Sequence, residues 1–280
     1  MPELPEVETI ARRLAHGSPP TQPTLIGCQV TDAHILWART LACPDVQAFA
    51  ATLRGQSVQA ISRRGKYVVI SFTTHTLLIH LRMSGDLRVE DMAAEDGSTL
   101  PLQKHDRLAL EFSNGMRLVF NDTRKFGRAW LVEDPQEVLD GLGPEPLDPA
   151  LTIESFQSML ARRARQLKPL LMDQRFLAGL GNIYADEALH LAGLHPLRLS
   201  STLISEESER LPAAIRAVLS EGIRRNGASI DWVYRGGDFQ NYFRVYGRTG
   251  QPCPACGTLI QRLVVGQRGT HICPKCQFLS

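Results

Sequence analysis

Tyr67-Val68-Val69-Ile70-Ser71-Phe72-Thr73-Thr74-His75-Thr76-Leu77-Leu78-Ile79-His80-Leu81 holds two short apolar runs on either side of a polar turn. Runs of this length, rich in β-branched residues and bounded by turn formers, predict paired strands. The pattern continues outward. Leu108-Ala109-Leu110-Glu111-Phe112 and Met116-Arg117-Leu118-Val119-Phe120 flank Ser113-Asn114-Gly115. This predicts a hairpin, because Asn-Gly accepts the left-handed backbone of a tight turn. Pro44–Leu53 reads as a helix inserted among strands, and the stretch from about Leu25 to Val132 is expected to form a β-sandwich.

Before this stretch, Pro5–Leu14 predicts a first helix. Pro5 suits an opening position, Glu6 and Glu8 favour the positive helix end, and Val7, Ile10, Ala11 and Leu14 share one face. Gly17–Pro23 breaks the chain. Beyond the strands, Gly141-Leu142-Gly143-Pro144-Glu145-Pro146-Leu147-Asp148-Pro149 reads as a linker. Helical spacing then follows over Thr152–Ala164, Pro169–Met172, Ile183–Ala192 and Ser205–Arg225, with Gly179-Leu180-Gly181-Asn182 between two helices.

The chain of 280 residues suits two or three small domains, and its 43% hydrophobic and 21% charged content is that of a soluble globular protein. No segment approaches the ~20 continuous apolar residues that cross a bilayer, so no membrane partner is expected. The acidic start lacks the basic-then-apolar layout of a signal peptide, and a cytoplasmic location is expected. The net charge of +2 conceals an asymmetry. Residues 1–150 hold 15 Lys/Arg against 19 Asp/Glu, and residues 151–280 hold 16 against 10. From Phe239 onward there is no acid, while Arg244, Arg248, Arg262, Arg268 and Lys275 are present. Spaced cations without acids suit a polyanion.

Cys253, Cys256, Cys273 and Cys276 form C-x2-C, sixteen intervening residues and C-x2-C, the spacing of a four-thiolate zinc site. Two disulfides would require an oxidising compartment. Val245–Cys276 is therefore expected to be a zinc ribbon of two short strands, too small to fold without its metal. At the other end, Met1 before the small residue Pro2 is expected to be removed, which leaves a secondary amine. An α-amino group titrates at roughly 7.7–8.0, so much of it is nucleophilic near neutrality. Glu3 and Glu6 beside it offer a proton donor and an orienting carboxylate. Glu6 equally suits a helix N-terminus.

Met1-Pro2-Glu3-Leu4-Pro5-Glu6-Val7-Glu8-Thr9 resembles the N-terminus of bacterial formamidopyrimidine-DNA glycosylases, the 8-oxoguanine repair family. The resemblance continues in family order. Arg63-Arg64-Gly65-Lys66-Tyr67 is similar to its lysine-bearing loop, and His80-Leu81-Arg82-Met83-Ser84-Gly85 to its methionine turn. Asp122-Thr123-Arg124-Lys125-Phe126-Gly127 resembles its arginine–phenylalanine loop, although Lys125 stands where the family has a second arginine. Leu142–Leu147 resembles its linker, and Lys168-Pro169 through Gly181-Asn182-Ile183-Tyr184-Ala185 its helix–two-turn–helix element. Val245-Tyr246-Gly247-Arg248 and Gln267-Arg268-Gly269-Thr270 resemble the approach to and the interior of its zinc ribbon. Gly227–Phe243, where the family has a lesion-covering loop, matches poorly.

The resemblance implies an α+β multidomain fold. Residues 1–135 would be an N-terminal catalytic β-sandwich with flanking helices and 136–150 a linker. Residues 151–243 would be a helical helix–two-turn–helix domain and 244–280 a zinc ribbon, with DNA held between them. It implies a glycosylase and strand-cleaving lyase acting on duplex DNA with a damaged base, monomeric, nucleoid-associated while bound, with one structural zinc and no organic cofactor. Pro2 would attack C1′, Glu3 protonate the sugar ring oxygen, Lys66 bind the lesion's phosphate and assist β-elimination, and Arg268 assist δ-elimination. Met83, Arg124 and Phe126 would fill the void left by a flipped nucleotide. His105, Arg163, Lys168 and Asn182 would contact phosphate.

Taken singly, Lys66 and Arg268 read as surface cations, Met83 and Phe126 as core, Arg124 as a salt-bridge partner, and His105-Asp106 as a structural pair. Leu4-Pro5 points to oxidised purines, because the related endonuclease VIII branch, which acts on oxidised pyrimidines, usually has Gly in place of that Leu. A catalytically silent damage-binding protein on the same scaffold is the other alternative. A zinc-ribbon transcription factor leaves the N-terminus without an explanation.

Overall fold

A computed structural model describes residues 1–17, 23–93, 98–229 and 236–279. Most of the expected break at Gly17–Pro23, and residues 230–235 of the poorly matching 227–243 stretch, lie outside the described residues. The chain runs through α1 (Leu4–His16), β1 (Val30–Ile35), β2 (Leu41–Cys43), α2 (Val46–Leu53), β3 (Val58–Arg64), β4 (Tyr67–Phe72), β5 (Thr76–His80), β6 (Gly85–Asp91), β7 (Asp106–Phe112), β8 (Met116–Asp122) and β9 (Arg128–Val132). It continues with a single turn, α3 (Gln136–Leu139), then α4 (Ile153–Ala161), α5 (Leu167–Leu171), α6 (Asn182–Ala192), α7 (Ser205–Arg224), β10 (Gln261–Val265) and β11 (Arg268–Ile272). The described residues form two compact units, one of residues 1–2 and 6–140, the other of 3–5, 141–229 and 236 onward.

The first unit is the expected β-sandwich. One sheet has the order β1-β7-β8-β6, the other β2-β9-β5-β4-β3. Val68, Ile70, Leu77 and Ile79 of one sheet and Leu108, Leu110, Leu118 and Phe120 of the other share a single core, which also takes Val7, Ile10 and Leu14 from α1. All five residues of β5 are buried, as befits a central strand covered on both faces. Asp45 opens α2 by accepting the N–H groups of Gln47 and Ala48, and this fixes the helix two residues beyond its expected start at Pro44.

The second unit holds α4–α7 and the strand pair. Tyr184, Leu189, Phe156, Leu171, Leu211, Ile215 and Leu219 form its core. Nine of the eleven residues of α6 are buried, so this helix is the axis of the unit. The β10–β11 hairpin turns on Gly266-Gln267, both with left-handed backbone (φ 54° and 63°), the geometry that matches the twist of a two-residue hairpin.

Candidate functional site

In the first unit the methionine turn and the arginine–phenylalanine loop lie at the ends of neighbouring strands, because Gly85 of β6 pairs with Asp122 of β8. Met83, Arg124 and Phe126 are exposed, Phe126 by 52%. The sequence alone would put Met83 and Phe126 in the core; the structure puts both outside it. Asp122, 1% exposed, holds their bases. Its carboxylate accepts the Ser84 hydroxyl, the Arg124 N–H at 3.1 Å and the Gly127 N–H at 2.7 Å. Ser84 Oγ also accepts the Arg124 N–H at 3.1 Å. Asp122 N–H donates to the His105 carbonyl, and its own carbonyl accepts from Arg107 Nε at 2.8 Å. The half-buried His105 contacts Arg107 through Nδ1, not Asp106, which instead binds both Arg88 Nη atoms. A Cβ on Gly127 would run into the Phe120 ring and the Asp122 carboxylate.

Arg82 and Lys125, one in each loop, have left-handed backbone (φ 55° and 62°) at a cost of about 1–3 kcal/mol each. The Lys125 ammonium rests 3.8 Å over the Trp37 ring, and the Arg124 guanidinium lies 5.2 Å from the Phe126 centroid.

Lys66 follows Gly65 in the two-residue turn between β3 and β4, where Arg64 pairs with Tyr67. Gly65 takes the left-handed position (φ 56°). Arg63 secures the turn by donating to the Gly65 carbonyl and to Glu8 of α1, each at 3.0 Å. Lys66 is buried, as are Pro2 and Glu6 in the same unit. His80 faces Tyr67 edge-on at 4.8 Å and accepts the Arg82 N–H at Nδ1. Burial, with the nearby charges of Arg82 and Lys66, pulls its imidazole down to about 3.

In the second unit the N-terminus of α6 gathers a second set. Glu3, 2% exposed, accepts the Ile183 N–H at 3.0 Å and the Tyr184 N–H at 3.4 Å, a carboxylate at a helix start where unpaired donors favour it. Gly181 makes the approach possible, since a Cβ there would enter the Glu3 carboxylate. Leu4 N–H donates to Gly179 O at 3.0 Å and fixes the segment. Lys168, expected at a phosphate, is fully buried. Its ammonium meets Asp186 at 2.6 Å, the Gly269 carbonyl at 3.0 Å and Thr270 Oγ1 at 2.8 Å, one partner for each of its three donors. Burial pulls this ammonium down, and Asp186 and then Glu3 oppose the shift.

Asn182 donates to the same Gly269 carbonyl at 3.2 Å, and the His271 N–H reaches Asp186 at 2.9 Å. Lys168, Asp186 and Asn182 together therefore hold the strand that begins with Arg268, which is itself exposed. Arg163 is exposed just after α4.

The sulfur atoms of Cys253, Cys256, Cys273 and Cys276 lie within 4.8 Å of one another. The separations Cys253–Cys276, Cys256–Cys276 and Cys256–Cys273 are 3.9, 3.5 and 3.4 Å. Metal–sulfur bonds of about 2.3 Å arranged tetrahedrally place sulfurs about 3.8 Å apart, so these residues fit a bound metal. His190 of α6 lies 3.3 Å from Cys253 Sγ through Nε2. Glu187 of α6 accepts the N–H groups of Arg244, Val245 and Tyr246 at 2.8, 2.9 and 2.8 Å, which fixes the chain as it enters the ribbon. Burial pushes the Glu187 carboxyl up, and the three donors pull it back. Gln277 links Cys273 N–H to the Leu194 carbonyl.

Asp122, Asp186, Glu187 and Trp37 carry much of this geometry and were not singled out from the sequence. Asp122 lies within the Asp122–Gly127 motif; the positions of the others depend on strand register and helix face, which one sequence does not fix.

Three family profiles match in chain order: the formamidopyrimidine-DNA glycosylase N-terminal domain over residues 1–129, its H2TH domain over 142–233, and a zinc finger found in FPG and IleRS over 250–277. A formamidopyrimidine-DNA glycosylase of Chloroflexus aggregans is 44% identical, with 100% of this chain and 99% of the relative covered. The Lactococcus lactis Fpg (MutM), solved with DNA containing FAPY-dG, superposes with a TM-score of 0.88 at 35% identity over 99% of this chain and 100% of its own. MutM in complex with DNA containing carbocyclic 8-oxo-G gives 0.88 at 36%, with the same coverage. The class that this fold and these matches define is the base-excision-repair DNA glycosylase with a β-sandwich, an H2TH region and a zinc finger. Within that class, the chain belongs to the formamidopyrimidine-DNA glycosylase family.

Proposed function

We propose that this chain excises oxidised purines from duplex DNA and cuts the strand at the same site, with Pro2 as nucleophile. Once Met1 is removed, the Pro2 nitrogen attacks C1′ of the flipped nucleotide. The glycosidic bond breaks, and the base leaves with its bonding electrons and takes up a proton. Glu3, on the first turn of α6, protonates the ring oxygen, and the sugar opens to an iminium ion on Pro2. The iminium acidifies the C2′ hydrogen. Its loss expels the 3′ phosphate with Lys66 assisting, and a second elimination assisted by Arg268 expels the 5′ phosphate. Water then releases the sugar remnant from Pro2. Glu6 orients the amine.

Met83, Arg124 and Phe126 fill the vacated stack, with unstacking costing roughly a few kcal/mol per step. His105, Arg163 and Asn182 meet phosphates and position the duplex without reading sequence. The four cysteines hold zinc, whose role is structural because four thiolates leave no position for water. The protein acts as a monomer in the cytoplasm, on nucleoid DNA. Among the described residues no helix is long and apolar enough to cross a membrane.

The observation that supports this reading most is Glu3: a buried carboxylate seated on backbone donors, directly after Pro2, in a space that only glycine at 181 leaves open. The test is borohydride trapping on a duplex with one 8-oxoguanine opposite cytosine, alongside a thymine glycol duplex, with the adduct mapped by peptide mass. An adduct on Met-free Pro2 with the first substrate supports the reading. Trapping only with thymine glycol supports the endonuclease VIII alternative. Tight binding of a Met-free chain without any adduct supports the silent damage binder.

A further inference from the structure

The proposed void-filling residues sit on two separate loops, yet one buried carboxylate holds both. Asp122 accepts Ser84 from the Met83 turn, and it accepts the N–H groups of Arg124 and Gly127, which bracket Phe126. Ser84 Oγ is shared between the Asp122 carboxylate and the Arg124 N–H, so it touches both sides. The same residue's backbone joins the His105 carbonyl and the Arg107 guanidinium. Neither loop stands at its own relaxed minimum, since each holds a non-glycine residue in left-handed backbone, Arg82 and Lys125. The cross-strand pair Gly85–Asp122 brings the loop bases together, and glycine at 85 and 127 lets the Phe120 ring lie against both, because a Cβ at either position would collide with it.

We propose that Asp122, through Ser84, is a positioning residue that makes the Met83 turn and the Arg124–Phe126 loop insert into DNA as one rigid unit. The proposal rests on the reading of function above. A flipped nucleotide leaves one void, and a plug and a wedge on independent loops would each have to be ordered at the moment of insertion. Asp122 removes that entropy cost before DNA arrives. The arrangement acts after binding and before bond cleavage, so its loss should register in the excision rate more than in affinity. A substrate that needs no flipping should be indifferent to it.

The experiment compares Ser84→Ala and Asp122→Asn with the parent chain on two substrates. One is a duplex with 8-oxoguanine opposite cytosine. The other is a single-stranded oligonucleotide with an abasic site, already unstacked and without a base to expel. The expected result is at least a tenfold fall in kcat for excision from the duplex, with KM changed less than threefold. Strand cutting at the single-stranded site should stay within twofold of the parent. If both variants match the parent on the duplex, the inference is overturned. An equal loss on the two substrates also overturns it, because that marks a general structural defect. Should Asp122→Asn fail to fold, Ser84→Ala, which deletes one hydroxyl, decides alone. A parent chain inactive on every duplex lesion overturns the function and the inference together, whereas an active parent with unaffected variants overturns the inference only.

Discussion

The Lys168 ammonium lies 2.6 Å from the Asp186 carboxylate, and neither side chain has any contact with solvent. A buried pair of this kind contributes little beyond well-packed apolar groups, but breaking one half leaves an unpaired charge at a cost of about 3–5 kcal/mol. Asp186→Ala should lower unfolding free energy by about that amount in chemical denaturation, whereas the double change Lys168→Met with Asp186→Leu should cost distinctly less. The same carboxylate receives the His271 N–H of β11. With Arg268 assisting δ-elimination as proposed, Asp186→Ala should also raise the share of β-elimination product over δ-elimination product on gels, as Arg268 loses its mount. An unchanged product ratio would detach the pair from Arg268.

The His80 imidazole gives a pH dependence. The unfolded chain takes up this proton near pH 6.5, the folded chain only near 3. Between these values the unfolded state binds more protons, so stability is full above about 6.5 and falls as pH is lowered toward 3. The slope from this ring is at most about 1.4 kcal/mol per pH unit. Thermal melts from pH 7 to pH 4 should show a falling Tm, less steep in His80→Asn, whose amide oxygen can still accept the Arg82 N–H.

Gly181→Ala places a methyl group where the Glu3 carboxylate lies. Single-turnover excision of 8-oxoguanine should fall at least tenfold, with the far-ultraviolet spectrum unchanged. Excision at the parent rate would show that Glu3 tolerates displacement and would weaken its proposed role as proton donor.

One zinc per chain is expected by elemental analysis, and Cys276→Ser should abolish it. A metal held by four thiolates has no open position for water, so its loss should weaken DNA binding while leaving a Pro2 adduct obtainable at high DNA concentration. Loss of the adduct at all DNA concentrations would indicate that the metal reaches the chemistry.

The sandwich was legible because its strands are short apolar runs with turn formers between them, and the ribbon because four cysteines have the spacing of a four-thiolate zinc site. The helix starts were less so: α6 begins at Asn182, one residue before the expected Ile183, since the boundary is set by Gly181 and the Glu3 carboxylate, 178 positions away. Lys168 shows the limit. A lysine beside a proline in a DNA-binding motif reads as a phosphate contact, and nothing local reveals that Asp186, Gly269 and Thr270 surround it. Asp122 was visible as a letter in a motif, but its reach to Ser84 depends on a register between β6 and β8 that one sequence does not determine.

Glu187 changes what kind of object the ribbon is. A small metal knot is often a bead on a string, able to melt and re-form without disturbing its neighbours. Here the string itself, residues 244–246, is clasped by a carboxylate from the middle of the most buried helix of the unit. The ribbon is thereby moored to that helix ahead of its first cysteine, by hydrogen bonds that use no metal ligand.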